Sequence, residues 1–164
     1  MTANDLQKEI QKDLEALLAD RRYETPAGEK AAVQVFRQFV PKRASEEDDD
    51  PFPYIEVRIA GGRLPNQESP EKVQVFLIIG IYDDDHENNG MESVMEIIHV
   101  IKVHYEETPL LAGKFVCDTE ESPIEWDLQE EDSWPYFFGI MSLVFDIPAP
   151  RRVPVTNKKA QVLV

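Results

Sequence analysis

The sequence predicts an α+β protein in which a mixed or antiparallel β-sheet carries two helices packed on one face, in the order α-β-β-β-α-β-β-β. Three observations lead to this prediction. Residues 73–82 are apolar on both alternating sides, which is typical of a central strand. Residues 4–20 and 91–105 carry apolar side chains at helical spacing. The other apolar segments are short, and turn residues separate them.

The first half of the chain supplies one helix and two strands before the central strand. Residues 4–20 have an apolar face and a charged face, and Asn4 is the predicted N-cap. Residues 31–40 alternate and are predicted to form the first strand, which Pro41 ends. Residues 54–59 alternate between apolar and polar side chains, so we expect a second strand with one buried face.

After the central strand the chain supplies the second helix and three more strands. Asn89, followed three residues later by a glutamate, predicts a capping box at the start of the helix over 91–105. Residues 110–117 and 124–126 are predicted to be short strands. Residues 135–147 form a long alternating segment, which predicts the last strand.

If both helices cover one face of the sheet, the other face of the strand over 73–82 is exposed in an isolated chain. An apolar surface of that size usually binds a partner. Residues 1–147 are predicted to form one domain. The composition then changes: residues 148–164 hold three prolines, four basic residues and no acidic residue, and we expect a flexible basic tail.

The composition excludes some classes of function. The chain has 17 basic and 32 acidic residues, a formal net charge of −15, which is the wrong sign for wrapping nucleic acid. Cys117 is the only cysteine, so no intramolecular disulfide is possible and a reducing compartment is expected. No apolar segment has the length of a signal peptide or a membrane span, so we expect a soluble protein made inside the cell.

The acidic turn after the central strand is the only cluster in the sequence suited to a catalytic or metal site. Three carboxylates there could hold Mg²⁺ or Ca²⁺. The calcium-loop pattern fails, however, because its sixth position is Asn88 and its twelfth is Val94. Acidic residues before a helix also suit the helix dipole. We interpret the turn as a helix cap or an interface, with a cation bound on assembly as the alternative. The turn consists of Asp83, Asp84, Asp85, His86 and Glu87.

Other catalytic signals are weak. The three histidines are scattered, and Cys117 lies beside an acidic residue that raises the pKa of a thiol. No Gly-x-Ser-x-Gly motif and no glycine-rich phosphate loop occurs. We therefore expect no catalytic residue, metal or cofactor. The aromatic run 134–138 is interpreted as core packing at the start of a strand, as an anchor at a subunit interface, or as both at once.

Several motifs in this order resemble those of the tail terminator (tail completion) proteins of long-tailed bacteriophages and prophages. The resemblance covers about residues 50–150 of the chain. The motifs are Tyr82-Asp-Asp-Asp85, Asn89-Gly90, the helical segment Val94-Met-Glu-Ile-Ile-His-Val-Ile101, Asp132-Ser-Trp-Pro-Tyr-Phe-Phe-Gly139 and Phe145-Asp-Ile-Pro148.

The resemblance implies an α+β fold and a structural role in the virion. Such proteins form hexameric rings that cap the tail tube, stop its polymerisation and contribute to the head–tail joining surface. The implied partners are further copies of the chain, the tail tube protein and the head–tail connector protein. DNA would pass through the ring without specific binding, and no membrane is involved. The protein would be made in the bacterial cytoplasm and end in the phage tail or neck.

The resemblance also implies roles for two groups of residues. The subunit or tube interface would include Asp83, Asp84, Asp85, Glu87, Trp134, Tyr136, Phe137 and Phe138. The candidate acids facing the lumen are Glu46, Glu47, Asp48, Asp49, Asp50, Glu120, Glu121, Glu130, Glu131 and Asp132. Two alternatives stay open: another neck, connector or minor tail protein, and a divalent-metal-dependent enzyme using residues 83–87.

Overall fold

The computed structural model describes residues 1–149 and confirms the α+β class. Two helices and a curled mixed sheet form the body of the protein, and a separate two-stranded hairpin lies beside them. The elements are α1 (Ala3–Leu17), β1 (Arg22–Glu24), β2 (Lys30–Ala32), β3 (Gln34–Arg37), β4 (Tyr54–Arg63), β5 (Glu71–Tyr82), α2 (Gly90–Glu107), β6 (Leu110–Leu111), β7 (Phe115–Cys117), β8 (Glu125–Leu128) and β9 (Tyr136–Ile147).

Within residues 1–149 the main sheet has seven strands in the order β3-β4-β5-β9-β7-β6, and β8 also pairs with β9. Among these described strands β3 and β4 pair in parallel, and the other pairs are antiparallel. Strands β5 and β9 pair along all twelve residues of each and form the centre of the sheet. β7 and β8 lie one after the other along the opposite edge of β9.

Helix α1 packs its apolar face into the core, where Leu6, Ile10 and Leu14 are fully buried. The N-cap lies two residues earlier than predicted. Thr2, not Asn4, is the N-cap, because Thr2 and Asp5 exchange hydrogen bonds in a capping box. This reciprocal pair satisfies two backbone donors at the start of the helix.

Two predicted strands are each divided in the structure. The strand predicted over 31–40 is β2 and β3, which belong to different sheets. β2 turns back on β1 through Gly28, whose φ of 95° gives the tight turn that this hairpin needs. The strand predicted over 110–117 is the hairpin β6–β7, with Ala112 and Gly113 at positive φ in the turn. Alternation of apolar residues does not report such turns.

Helix α2 covers the same face of the sheet as α1, against β5 and β9. The Tyr105 ring contacts the Phe145 ring edge-on, with centroids 5.4 Å apart. The predicted capping box at Asn89 is wrong. The Asn89 side chain makes no cap hydrogen bond and donates instead to Asp85 Oδ2 at 2.9 Å, because the acidic turn folds back against the helix start.

The two faces of β5 and β9 differ strongly. On the helix side every apolar residue is buried, from Val73 to Ile81 in β5 and from Phe137 to Ile147 in β9. On the opposite side, which we call the outer face, Phe76, Ile78 and Ile140 are only partly buried. Ile78 and Ile140 are directly opposite each other in the register.

Two further points concern the chain as a whole. Neither helix within residues 1–149 is long and apolar enough to cross a bilayer. The basic tail predicted over 148–164 lies, from residue 150 onwards, outside the described residues.

Candidate functional site

The acidic turn and the aromatic run, two separate features of the sequence, lie together at one end of the sheet. The backbone N–H of Asp83 donates to the carbonyl of Pro135 at 2.9 Å. The Trp134 indole Nε1 donates to the carbonyl of Asp85, also at 2.9 Å. The Trp134 ring stacks on the His86 ring, with centroids 5.7 Å apart and an interplanar angle of 25°. This pairing fixes the turn against the start of β9.

Part of the acidic loop 42–53 reaches the same place. Tyr136 donates its hydroxyl to Asp50 Oδ2 at 3.1 Å, and Arg43 pairs with Asp50 at 3.4 Å. The Phe52 ring packs 4.8 Å from the Tyr136 ring. We call this region, formed by Glu24, Asp50, residues 83–87, and residues 132–136, the acidic end of the sheet.

The predicted lumen acids are divided between the two ends of β9. Asp50 and Asp132 belong to the acidic end, where Asp132 lies 3.4 Å from the Asn88 amide. Glu120 and Glu121 lie at the other end, where both backbone N–H groups donate to Asp118 Oδ1 at 3.1 Å. The ends of a twelve-residue strand are roughly 35 Å apart. One acidic surface therefore does not contain all of the candidates.

The eight predicted interface residues also separate. Asp85, Glu87, Trp134 and Tyr136 are partly or fully exposed at the acidic end. The assignment of Phe137 as an interface side chain is wrong for the single chain. Phe137 is 3% exposed because its position in β9 directs the ring under α2, where it takes the space that a Cβ of Gly90 would occupy. Its neighbour Phe138 points to the outer face.

A residue that the sequence did not single out completes the charged cluster. Glu24, at the end of β1, has a carboxylate within 4.8 Å of those of Asp83 and Asp84. The hairpin β1–β2 brings it there by packing near β5. Nothing in the sequence around Glu24 indicates this, because the residues after α1 look like a simple chain break. The carboxylates that lie close together in the structure are therefore those of Glu24, Asp83 and Asp84, which is a different group from the predicted residues 83–87.

The electrostatics of this cluster are unfavourable for its charges. Burial and the charges of Asp83 and Asp84 raise the pKa of Glu24. Three carboxylate oxygens in reach of one another could hold a divalent cation, although Mg²⁺ or Ca²⁺ would need further ligands from backbone or water. His86 and Glu87 do not belong to this group of oxygens.

Replacement of Glu24 by glutamine is expected to stabilise the protein at pH 7 by about 0.5 kcal/mol, because it removes one of three repelling charges near the surface. A glutamate whose pKa is raised on folding destabilises the folded state once the pH rises above the unfolded pKa. The gain should therefore vanish below about pH 4. Urea unfolding at several pH values measures it.

Glu29→Gln, an exposed change in the same hairpin, is the matched control and should leave stability unchanged. A loss of stability for Glu24→Gln at pH 7 would contradict the repulsion. It would mean that the Glu24 carboxylate makes an attractive contact, as it would with a bound cation.

A second charged cluster lies at the opposite end of the sheet. Lys72 Nζ is 2.7 Å from Asp146 Oδ1 and 3.3 Å from Asp118 Oδ2. Hydrogen bonding to Asp146 is the main reason that the pKa of Lys72 is raised. The pKa of Asp118 is lowered overall. Burial, the largest single influence, raises this pKa, but the hydrogen bonds from the N–H groups of residues 120 and 121 and the Lys72 ammonium together outweigh it. Lys72 thus joins β5, β9 and the turn after β7.

Replacing Lys72 by methionine is expected to destabilise the protein by about 2 kcal/mol at pH 7, because two partly buried carboxylates then lose their cation. Asp118 has a lowered pKa, so its pairing stabilises the fold above the unfolded carboxyl pKa and is lost as the pH falls through the folded pKa. The difference between variant and parent should shrink towards pH 3. Equal losses at both pH values in urea unfolding would show that Lys72 acts through packing alone.

The comparisons with known proteins give no family: no protein-family model matches the sequence, and no curated protein matches it either.

Proposed function

We propose that this protein is a structural tail terminator of a long-tailed bacteriophage. It assembles into a hexameric ring that caps the tail tube, stops its polymerisation and forms part of the head–tail joining surface. Its partners are further copies of the chain, the tail tube protein and the head–tail connector protein. Support comes from the ordered motifs of residues 82–148 and from one structural observation, the outer face of the sheet, which residues 1–149 leave partly exposed.

The outer face carries the proposal because, within residues 1–149, no element fully covers the apolar side chains at its centre. Phe76, Ile78 and Ile140 sit at the centre of the sheet, not at its edge, and remain partly exposed. A central apolar surface of this kind is expected to be buried by another protein surface. In a ring, neighbouring subunits and the tube supply that cover.

The acidic end suits a ring through which DNA must move. Asp132 is exposed beside the acidic turn, and the run Glu46–Asp49, which leads into Asp50 of the acidic end, is exposed as well. Carboxylates facing a channel repel phosphate groups and lower the affinity for DNA, which lets it slide.

The environment of the single thiol does not suit a catalytic nucleophile. Cys117 is 2% exposed. Burial, followed by the charges of Asp118 and Asp146, raises the pKa of the Cys117 thiol to about 12. At neutral pH the thiol is protonated and out of reach of a substrate, so it is a poor nucleophile.

Electron microscopy of particles made without this gene tests the proposal. We expect overlong tail tubes without heads, because nothing stops tube growth. Tails of normal length that fail to join heads would support the alternative, a connector or other neck protein. Infectious particles of normal shape would overturn a morphogenetic role. A copy of the intact gene supplied in trans is the control and should restore normal tails.

A divalent-metal-dependent enzyme is the second candidate, and the cluster of Glu24, Asp83 and Asp84 is the observation that favours it. Changing all three residues to their amides separates the two functions. If the protein acts in assembly, this triple variant should give tails of abnormal length. Tails of normal length that are joined to heads, with infectivity lost, would favour the enzyme.

A further inference from the structure

Strand β8 has one unpaired edge. It pairs with β9 through Glu125–Leu128, and within residues 1–149 no strand pairs with its other edge. The N–H of Gln129 donates to the carbonyl of Phe138. Because hydrogen-bonding direction alternates along an antiparallel strand, the backbone groups of Trp126 and Leu128 point to the free edge. An edge of this kind accepts an additional strand.

The side chains around this edge define what it would accept. Glu125 and Asp127 are exposed on one side of β8, and Trp126 is 44% exposed on the other. The surrounding segment, residues 118–132, contains eight acidic residues and no basic residue. Lys72 is the nearby cation of the second charged cluster, and Asp118 and Asp146 already engage it. The edge therefore fits an extended segment that is basic and apolar.

The chain itself contains one segment with this chemistry. Residues 150–164 carry four basic residues and no acidic one, which leaves a formal charge of −19 on the rest of the protein. Its last part, Lys158-Lys-Ala-Gln-Val-Leu-Val164, has β-favouring residues at the end. In an extended chain Ala160, Val162 and Val164 share one side, and Lys159 and Gln161 share the other.

We propose that residues 158–164 of a neighbouring copy add to β8 as an extra strand. Val162 would then pack beside Trp126, while Lys159 would face Glu125 and Asp127. This inference rests on the proposed function, since it specifies one of the subunit contacts in the ring. β-Strand addition takes affinity from backbone hydrogen bonds and specificity from alternate side chains, and both are present in this pair of segments.

The geometry favours a neighbouring copy over the same chain. β9 ends at Ile147, and β7 pairs with Phe145 and Asp146 along the edge of β9 that leads towards β8. The hairpin β6–β7 therefore stands between the end of β9 and the free edge in the same subunit. The stretch from 149 to 158 spans at most about 30 Å when extended, so the acceptor edge must belong to a copy that lies close to the end of β9.

Disulfide trapping between two full-length variants tests this contact. One variant carries Glu125→Cys and the other Gln161→Cys, which lie on the same side of the proposed strand pair. Cys117 stays in both, because it is buried and its raised pKa keeps it unreactive. Under mild oxidation the mixture should give a covalent heterodimer. Raising the salt concentration to about 1 M should lower the yield several-fold, because exposed charges are screened within about 3 Å.

The control replaces Glu125→Cys with Glu15→Cys, an exposed position on α1. A heterodimer yield no higher than this control would overturn the inference. So would a chain carrying both Glu125→Cys and Gln161→Cys that closes on itself while the mixed single variants do not link. Adding Lys158→Glu and Lys159→Glu to the tail variant should lower the yield at least fivefold; an unchanged yield would exclude the charge pairing.

The inference and the proposed function fail in different ways. Rings and normal tail lengths without the heterodimer would leave the terminator role standing and remove this contact. If the heterodimer forms but loss of the gene leaves tails normal, the contact stands and the terminator role is excluded.

Discussion

Replacing Gly139 by valine is expected to lower the free energy of unfolding by about 3 kcal/mol, the upper part of the range for overpacking a core. A Cβ at Gly139 would lie 2.6 Å from Val94 Cγ1 and 3.1 Å from Ile98 Cδ1. Both neighbours belong to α2, so the helix would have to move away from β9. Urea unfolding followed by circular dichroism measures the change.

Gly61→Val is the matched control, since Gly61 is also in a strand. A Cβ at Gly61 would have no atom within 4 Å, and Gly61 is exposed in β4. A valine there should change stability by less than about 0.5 kcal/mol. Similar losses for the two variants would contradict the close approach of α2 to β9, because they would reflect only the loss of glycine from a strand.

The largest expected effect on function comes from the outer face. Changing Ile78→Lys together with Ile140→Asp should abolish ring formation and produce overlong tails. If each isoleucine is an interface anchor worth about 2 kcal/mol, the pair lowers subunit association by about a thousandfold. In the sheet register, position 78 lies between Glu56 and position 140, so the new lysine can pair with an acid on either side. The new aspartate also lies opposite Asp127 and repels it, so circular dichroism of the purified chain must first show that the fold persists. Electron microscopy of tails and sedimentation of the purified chain measure the two effects.

Met95→Lys provides the control on the other side of the protein. Met95 is 41% exposed on α2, so Met95→Lys places a charge at an apolar surface position away from the outer face. This variant should assemble normally. Normal assembly of the Ile78→Lys, Ile140→Asp variant, with its fold intact by circular dichroism, would rule out the outer face as the assembly surface.

The sequence predicted those features that depend on a repeating pattern. The period-two alternation of 135–147 gave β9 nearly to the residue, and the helical spacing of 91–105 gave the buried side of α2. Because residues 73–82 are apolar on both sides, we expected a second apolar face on the sheet beside the one that the helices cover. In the structure burial alternates along β5, and Phe76 and Ile78 on the second face are only partly buried. In each case one local pattern determines which side chains face the core.

The sequence did not predict features that depend on chain reversals or distant contacts. The segment 31–40 divides at Val33 into strands of two different sheets, and positive φ at Ala112 and Gly113 folds 110–117 into a hairpin. The cluster at the acidic end needs Glu24 and Asp83, which are far apart in the chain and meet only through the packing of β1 near β5. Phe137 was assigned to an interface as part of an aromatic run, although its parity in β9 places it in the core.

The two borders of the main sheet are not alike, and this difference bears on symmetry. One border is the short parallel strand β3, and the other contains the free edge of β8. If β8 receives a segment from a second subunit, donor and acceptor are different parts of the chain, so the contact is heterologous. A heterologous contact leaves one donor and one acceptor unused in every open chain of subunits. Only closure into a ring uses them all, whereas a two-fold dimer needs a self-complementary contact.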